Sequence, residues 1–302
     1  MSARIRRSEA APVSALAAGG HRPVEVSLLG LIEHAELGDS PYRIDADGAP
    51  YVPAGDGGIV LGLRLGDSVF ALFGDHAAPG ACLTHPVEAA RHALALYCCI
   101  GNEAVVRTGA AAGARGAVIG KRGENGRVIA GFRAGDLARM RPGDQVSVRS
   151  RGQGVRPGWL PASLTALNID PGLLAGLPVS ADQDDTLDVA VRLVVPARMA
   201  GNGLGRPAHS WDLDLQLASG QGAAEDALLL GDLVAVTDLD ARYNMGYRRD
   251  WVTIGVAVHG SSPLPGHGPG ITPILTGPRH ALRVREDSTG HVGLTESMLG
   301  LQ

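Results

Sequence analysis

One lysine stands alone in the chain. Lys121 is the only lysine, every other basic side chain apart from histidine being arginine, and it lies in a glycine-rich turn between apolar runs at residues 117–119 and 128–132. Unlike arginine, lysine can lose its proton near neutral pH and can attack a carbonyl carbon. We therefore predict that Lys121 is catalytic and that Arg122 and Glu124, in the same turn, contact substrate. The alternative is an ordinary solvated lysine.

A second group of reactive side chains lies at the end of a predicted strand. Asp75 and His76 directly follow the apolar run that ends at Phe73, and loops at sheet ends often carry function. The pair predicts a general base with its orienting carboxylate, or a metal ligand. The alternative is that Asp75 caps the turn and His76 is exposed. Asn102, in the Gly-Asn-Glu sequence that opens the lysine stretch, is predicted to donate to a developing oxyanion.

The third group lies in the second half of the chain. Asp238, Asp240 and Tyr243 lie in a loop between two predicted strands, His259 ends the second of these strands, and His267 follows in a Gly-His-Gly-Pro-Gly loop. Histidines and aspartates at neighbouring strand ends suit a divalent ion or shared proton transfer. Asp238 and Tyr243 are predicted to contact substrate, and His259 and Asp240 to bind a metal if one is present. The alternative is a tight loop in which His267 only hydrogen-bonds backbone.

Two more carboxylates alternate along a predicted strand at residues 211–217. Asp212 and Asp214 are two residues apart, so an extended chain places both on one face. Such a face needs solvent, an arginine or a metal. We expect it to be a solvated outer face.

Composition excludes several classes of protein. The net charge of -4 and the aromatic content of 4% argue against a nucleic-acid surface or an acidic membrane surface. No apolar run is long enough to span a membrane, and the basic N-terminus lacks the apolar core of a secretory signal, so we predict a cytoplasmic protein. The signatures of phosphate loops, dinucleotide folds, serine hydrolases and zinc proteases are missing.

The elements that must position these residues are mostly strands. The 43 glycines and 19 prolines fall between short apolar runs, which predicts many short strands joined by turns. One principal helix is predicted near residues 86–100, where proline opens the first turn and apolar residues recur at helical spacing. We predict a strand-dominated α+β fold with two β-rich halves. A disordered arm at residues 1–22 would precede β-rich domains at 23–155 and 156–302.

The chain resembles the prokaryotic family labelled domain of unknown function 4438 over about residues 24–277. The resemblance rests on motifs in both halves: Asp75-His76 with Pro79-Gly80, Gly101-Asn102-Glu103-Ala104, residues 116–121, Gly143-Asp144, Asn168-Ile169-Asp170-Pro171, residues 196–205, Asp212-Leu213-Asp214, Gly231-Asp232 and residues 254–270. Two positions depart from the family's pattern, Arg122 where a histidine is usual and Ala78 where a glutamate is usual. The family label confers no activity. A looser likeness is to acetamidase and formamidase enzymes, which are also β-rich.

Three functions are consistent with these residues. The first is a cofactor-independent enzyme that hydrolyses a small polar metabolite or transfers a proton next to its carbonyl. Lys121 would polarise the carbonyl, with His76 or His267 as general base, oriented by Asp75 or Asp238. The second is an amidohydrolase whose divalent metal is bound by His259, His267, Asp238 and His76. The third is a non-catalytic ligand-binding or assembly protein. In each case we expect a homo-oligomer.

Overall fold

The computed structural model describes residues 23–35, 37, 40–123, 126–181, 185–220 and 222–302. The arm predicted at residues 1–22 and the predicted substrate contact Glu124 lie outside these residues. Strands dominate the described chain and α1 (Glu88–Tyr97) is its longest α-helix. The predicted strand-dominated α+β class and the principal helix near residues 86–100 are therefore confirmed. None of the described helices is long and apolar enough to cross a membrane.

The remaining elements are short. The strands, numbered along the chain, are β1 (Val26–Ile32), β2 (Arg43–Ile44), β3 (Pro50–Tyr51), β4 (Ile59–Val60), β5 (Gly80–Thr84), β6 (Glu103–Val106), β7 (Arg115–Arg122), β8 (Arg127–Gly131), β9 (Gln145–Ser150), β10 (Thr165–Ala166), β11 (Val179–Ala181), β12 (Leu187–Val191), β13 (Leu193–Pro196), β14 (Leu213–Asp214), β15 (Leu233–Asp240), β16 (Gly246–His259), β17 (Gly270–Pro278) and β18 (Leu282–Glu286). The other α-helices are α2 (Ala134–Leu137), α3 (Pro171–Leu174) and α4 (Ala223–Asp226), and 3₁₀ turns span Ala197–Met199 and Ser297–Leu299.

Six antiparallel strands of the first half close into a barrel. Their order is β1–β9–β6–β7–β8–β5, and β1 pairs again with β5 where Leu31 lies opposite Thr84. Closure removes the free edges that an open sheet would expose. Small and branched side chains form the core of this half, together with Leu94 of α1 and Cys98 just after it: Ala81, Leu83, Ala104, Val106, Val118, Val128, Ala130, Val146 and Val148.

The second half is built on a six-stranded sheet. Its order is β10–β17–β16–β15–β13, and the short β14 pairs with β17. A three-stranded sheet of β11, β12 and β18 lies against it. The two predicted β-rich halves are confirmed, since every strand of the barrel precedes residue 151 and every strand of these two sheets follows residue 164. The domain boundary near residue 155 stays a prediction.

The barrel packs against the second half along β7. A Cβ at Gly120 would lie 2.5 Å from a Val258 methyl carbon, so glycine at this position lets β16 approach the barrel closely. The Thr272 hydroxyl of β17 accepts from the Lys121 amide at 3.0 Å. Ile119 and Ile129 are at most 1% exposed here, and burying each side chain contributes about 1.5–3 kcal/mol. The candidate site lies along this seam.

Candidate metal centre

Three histidines and two aspartates converge at the seam. His76 lies in the loop before β5, Asp212 and Asp214 lie at β14, His259 ends β16, and His267 lies in the loop between β16 and β17. Four of the five side chains are buried, and that of His267 is 14% exposed. The sequence therefore brings five potential ligands together from four separate segments. We call these five residues the histidine cluster.

Strand pairing positions two members of the histidine cluster. Asp214 of β14 and His259 of β16 both lie opposite Gly270, the first residue of β17. A Cβ at Gly270 would lie 1.8 Å from His259 Nε2. Only glycine at this position leaves room for the imidazole beside the Asp214 carboxylate.

The expected solvated face for Asp212 and Asp214 is wrong. Their exposed fractions are 6% and 2%. Extended alternation does place both carboxylates on one side, with buried Leu213 on the other. The shared face points inward, toward the histidines. Two buried carboxylates are stable there only if positive charge, from protonated histidines or a cation, offsets theirs.

The first group of ligand atoms comes from His76, His267 and Asp214. His76 Nε2 lies 2.9 Å from His267 Nδ1, and Asp214 Oδ2 lies 2.7 Å from His267 Nδ1 and 3.3 Å from His76 Nε2. A tetrahedral ion with bonds near 2.0–2.1 Å would have ligand atoms about 3.3 Å apart. Because the three atoms are already nearly this close, a divalent ion fits between them after a small expansion.

The second group comes from His259, Asp212 and Asp214. His259 Nε2 lies 2.8 Å from Asp212 Oδ2 and 3.3 Å from Asp214 Oδ1. The ligand atoms of these residues lie close enough together to share one ion. Asp214 therefore belongs to both groups, and presents a different oxygen to each.

Asp75 holds His76 in place. His76 Nδ1 lies 2.5 Å from Asp75 Oδ1, which also accepts from the Ser262 hydroxyl at 2.7 Å. The other oxygen of Asp75 accepts from Arg43 Nη1 at 2.8 Å and from the Tyr51 hydroxyl at 3.0 Å. Carboxylates that orient a histidine from behind in this way are typical of metal sites.

The backbone at His76 is in an unfavourable conformation. Its φ is +53°, a left-handed value that costs a residue with a side chain about 1–2 kcal/mol. The His76 amide donates to the Ser261 carbonyl at 3.1 Å, which ties the turn to the end of β16. Such conformations often mark functional sites, where the surrounding structure maintains them.

Protons are strongly attracted to the histidine cluster. Burial alone would raise the pKa of Asp214, but hydrogen bonds from His259, His267 and His76 hold that pKa well below its ordinary range. Burial lowers the pKa of His259, but its bonds to Asp212 and Asp214 outweigh burial and raise the pKa to about 9. The pKa of His76 is likewise raised, since Asp214 and Asp75 outweigh burial. The same carboxylates would attract a divalent cation.

A buried arginine network borders the cluster. Arg122 Nη2 donates to Asp56 Oδ1 at 2.7 Å, Arg127 Nη1 donates to the same oxygen at 3.1 Å, and Arg127 Nε donates to Glu33 at 2.8 Å. Burial lowers the pKa of Arg122, but Asp56 raises it above its ordinary range. Arg122 Nη1 is buried and has no hydrogen-bond partner among the described residues. Its predicted contact with substrate stays a prediction.

Four residues that the sequence singled out meet in or against the cluster. His76, His267 and His259 belong to it, and Asp75 contacts His76. The strand predicted to end at Phe73 is wrong, because only Ile59–Val60 is a strand there, and Asp75 and His76 lie in the loop before β5. His259 does end a strand, as predicted.

Lys121 lies apart from these residues. Its ammonium donates to the Leu96 carbonyl at 3.2 Å, Asn168 Oδ1 at 2.8 Å and the His209 carbonyl at 2.6 Å, and burial lowers its pKa to about 8. None of these acceptors belongs to the histidine cluster. Successive strand residues face opposite sides, so Arg122 points toward Asp56 while Lys121 points the other way.

Asn102 also makes contacts that fix a loop. Its Oδ1 accepts from the Cys99 amide at 2.8 Å, and its Nδ2 donates to the Arg151 carbonyl at 2.9 Å. These bonds join the end of α1 to the chain that follows β9. No described contact links Asn102 to the histidine cluster.

The predicted loop placement of Asp238 and Asp240 is wrong, because β15 runs to Asp240 and only Tyr243 lies in the loop before β16. Asp240 pairs with Arg242 at 2.8 Å, and Asp238 accepts from the Asp250 amide at 2.9 Å. Tyr243 is 76% exposed. None of the three predicted residues has a described contact with the histidine cluster, and their roles stay predictions.

Asp212 and Asp214 were noticed in the sequence but not predicted as site residues. The available signal was the Asp-Leu-Asp alternation, which places two carboxylates on one face with a buried leucine between them. The alternation does not predict whether that face is exposed to solvent or packs against histidines. Asp56 gave no sequence signal, since it lies in a loop rich in glycine and aspartate.

Fold and site together define a strand-dominated α+β protein with a buried histidine–aspartate centre between its halves. The family model described as "Domain of unknown function (DUF4438), N-terminal" matches residues 42–175, and the C-terminal model of the same family matches residues 176–294. The chain belongs to the DUF4438 family.

A solved structure and a search of curated proteins complete the comparison. The structure described as "Crystal structure of TM1086" is 33% identical to this chain and superposes with a TM-score of 0.85. The alignment covers 89% of this chain and 95% of that one. No curated protein matches the chain. The family resemblance inferred from the sequence is thus confirmed, and the family's description names no activity.

Proposed function

We propose that this protein is a divalent-metal-dependent hydrolase of a small polar substrate, with His76, His267 and Asp214 as metal ligands. The observation that carries the proposal is the convergence of one ligand atom from each residue, all within 3.3 Å of one another. Catalytic zinc sites characteristically use three protein ligands and leave a fourth position for water or substrate.

Hydrogen bonds alone account for this group only when one of its histidines is protonated. His76 Nδ1 lies 2.5 Å from Asp75 Oδ1, so for a neutral His76 we assign the proton to Nδ1 and the lone pair to Nε2. That lone pair faces both Asp214 Oδ2 and His267 Nδ1. A cation between the three atoms satisfies all of them with neutral imidazoles.

A divalent ion would lower the pKa of a bound water to about 7 and would polarise a carbonyl. The chain's own residues supply the geometry. Asp75 fixes the ring of His76, while the less buried His267 marks the side from which water and substrate reach the centre. In amide hydrolysis, water adds to the carbonyl carbon, the C–N bond breaks, and the nitrogen leaves with a proton from that water. The looser likeness to acetamidase and formamidase makes short amides the first substrates to test.

Metal analysis tests the proposal directly. Protein purified without a histidine tag should carry a divalent ion, lose it on dialysis against EDTA, and regain both ion and amide hydrolysis with Zn²⁺, Mn²⁺ or Co²⁺. His267→Ala should bind the ion far more weakly. His280→Ala is the matched control, because His280 is exposed beyond the far end of β17. Metal-free protein that rebinds none of these ions would contradict the proposal.

A second candidate follows from the Asp75–His76 contact of 2.5 Å. In this cofactor-independent reaction His76 would act as general base, oriented by Asp75, and would take a proton next to a carbonyl. Full turnover of a substrate by EDTA-treated protein would favour this candidate over the metal-dependent one. The contacts of Lys121 and Asn102 support neither mechanism.

A further inference from the structure

We propose that the centre is dinuclear: a second divalent ion binds between Asp212, Asp214 and His259, and the Asp214 carboxylate bridges it to the first. This inference rests on the proposed function, since both ions share Asp214. It assigns a ligand role to Asp212 and His259, which the first ion does not use.

The Asp214 carboxylate is shared between two sets of partners. Its Oδ2 faces His76 and His267, whereas its Oδ1 lies 3.3 Å from His259 Nε2. A carboxylate that bound one ion in a simple monodentate way would need only one of these oxygens. A bridge uses both, and ions in two-metal hydrolytic centres lie about 3.5–4 Å apart.

The ring of His259 is oriented as a ligand would be. Its Nδ1 lies 2.8 Å from the Gly260 carbonyl, which can only accept, so Nδ1 carries a proton. In a neutral ring Nε2 then presents a lone pair to Asp212 Oδ2 at 2.8 Å. In the metal-free protein a proton on Nε2 can join these two atoms, and a divalent ion would take the place of that proton. Metal-binding histidines usually donate their other nitrogen to a carbonyl or carboxylate in this way.

Asp212 is positioned with one oxygen to spare. Its Oδ1 accepts from the Gly123 amide at 2.8 Å, next to β7 of the barrel. Its Oδ2 is left facing His259. Each group thus contains a histidine whose Nδ1 lies close to an acceptor oxygen, of Asp75 behind His76 and of Gly260 behind His259.

The two positions differ in donor type. The first has two imidazole nitrogens and one carboxylate oxygen, and the second has one nitrogen and two oxygens. Oxygen-rich sets suit harder ions such as Mn²⁺, and imidazole suits Zn²⁺. We therefore expect the first position to hold Zn²⁺ more tightly and the second to exchange Mn²⁺ more readily. In hydrolysis the pair would hold the attacking and the carbonyl oxygens together.

Counting ions in matched variants tests the inference. Metal-free protein titrated with Zn²⁺ against a chromophoric chelator should bind two ions per chain. Asp212→Asn should bind one, since asparagine keeps an oxygen for the Gly123 amide but weakens the second position. His259→Ala should also bind one, and His280→Ala should bind two. Circular dichroism and thermal melting of the metal-free variants check that each is folded.

Electron paramagnetic resonance gives a second readout. Wild-type protein loaded with Mn²⁺ should show the broadened spectrum of two coupled ions, and Asp212→Asn the six-line spectrum of an isolated one. One ion per chain in the wild type would overturn the second position and leave the proposed function intact. No bound ion would overturn both. Two ions in both Asp212→Asn and His259→Ala would place the second ion elsewhere and overturn this assignment.

Discussion

Two buried polar centres lie along the seam between the halves, and they are built in opposite ways. At one, the Lys121 ammonium donates to three neutral oxygens, of Leu96, Asn168 and His209. At the other, the histidine cluster gathers nitrogen and carboxylate atoms at 2.7–3.3 Å from one another within each group. When the imidazoles are neutral, most of these atoms accept hydrogen bonds. The first centre is saturated, with as many acceptors as the ammonium has protons. The second has more acceptors than donors.

This difference separates a structural role from a chemical one. An ammonium with its three protons placed has nothing left to offer a substrate, so Lys121 ties β7 to the second half. A surplus of lone pairs is stable only with added protons or a cation. The comparison therefore favours the cluster over Lys121 as the place of the proposed metal binding and catalysis, and each prediction below tests one side of it.

The largest effect is expected from Asp214→Asn. Asparagine removes the charge that both groups share, so we expect Zn²⁺ affinity to fall by more than the roughly 10–100-fold that outer partners contribute. At a Zn²⁺ concentration of 100 times Kd, the ion should stabilise wild type by about 2.7 kcal/mol per site. That stabilisation should be absent in the variant, as measured by thermal melting with and without Zn²⁺. Asp47→Asn, at an exposed position, should keep it.

Gly270→Ala should come next. The added Cβ would lie 1.8 Å from His259 Nε2, so the ring must leave its place beside Asp214. We expect the second ion to be lost and the metal-free protein to be destabilised by about 1–3 kcal/mol, as in other overpacked interiors. Denaturant unfolding and metal titration measure both effects. Gly290→Ala is the control, because nothing lies within 4 Å of a Cβ there. Retention of two ions in Gly270→Ala would show that His259 is not a ligand.

Asp75→Asn should have a smaller effect on the ion. Asp75 contacts His76 but does not face the other cluster members, so it acts by orienting the ring. We expect Zn²⁺ affinity to fall about 10–100-fold with the number of ions per chain unchanged. Asp45→Asn, at an exposed turn, should change neither quantity. Fewer bound ions per chain in Asp75→Asn would mean that Asp75 is itself a ligand.

The two centres also differ in how much of their structure the sequence predicts. Strand-rich organisation, the helix at α1, the placement of His259 at a strand end and that of His267 in a loop follow from local patterns of alternation and turn residues. Barrel closure and the contact between halves do not, because the pairing of β1 with β5 and the approach of β16 to Gly120 are long-range. The burial of Asp214 depends on both of these long-range contacts.

The surroundings of Lys121 were hidden from the sequence for a related reason, and its catalytic role stays a prediction. Rarity in the sequence is a compositional property, whereas reactivity depends on which atoms surround the ammonium. Those atoms come from α1, from the chain after β10 and from the chain before β14. No local sequence pattern predicts that Asn168 and two backbone carbonyls will surround the Lys121 ammonium.

Lys121→Met should have the smallest effect on the metal centre. Methionine keeps much of the side-chain volume but cannot donate, so it leaves three buried oxygens unpaired, each at a cost of about 1–3 kcal/mol, partly offset because no charge is buried. We expect net destabilisation of about 1–3 kcal/mol in denaturant unfolding, with two ions still bound. A loss of ions with normal stability would return Lys121 to the functional site.

The pH dependence of stability tests whether the Lys121 ammonium is buried and charged in the folded protein. Burial lowers the pKa of Lys121 from its ordinary 10.5 to about 8, although the nearby thiols of Cys99 and Cys98 act to raise it. Below pH 8 the lysine is charged in both folded and unfolded chains, and its buried charge is a constant cost. Between about pH 8 and 10.5 the unfolded chain holds the extra proton, so stability rises with pH. The full rise corresponds to about 3 kcal/mol. Measured as the difference between metal-free wild type and Lys121→Met, this rise should appear only in that window. A flat difference would mean that the ammonium keeps its proton in the folded protein up to its ordinary pKa.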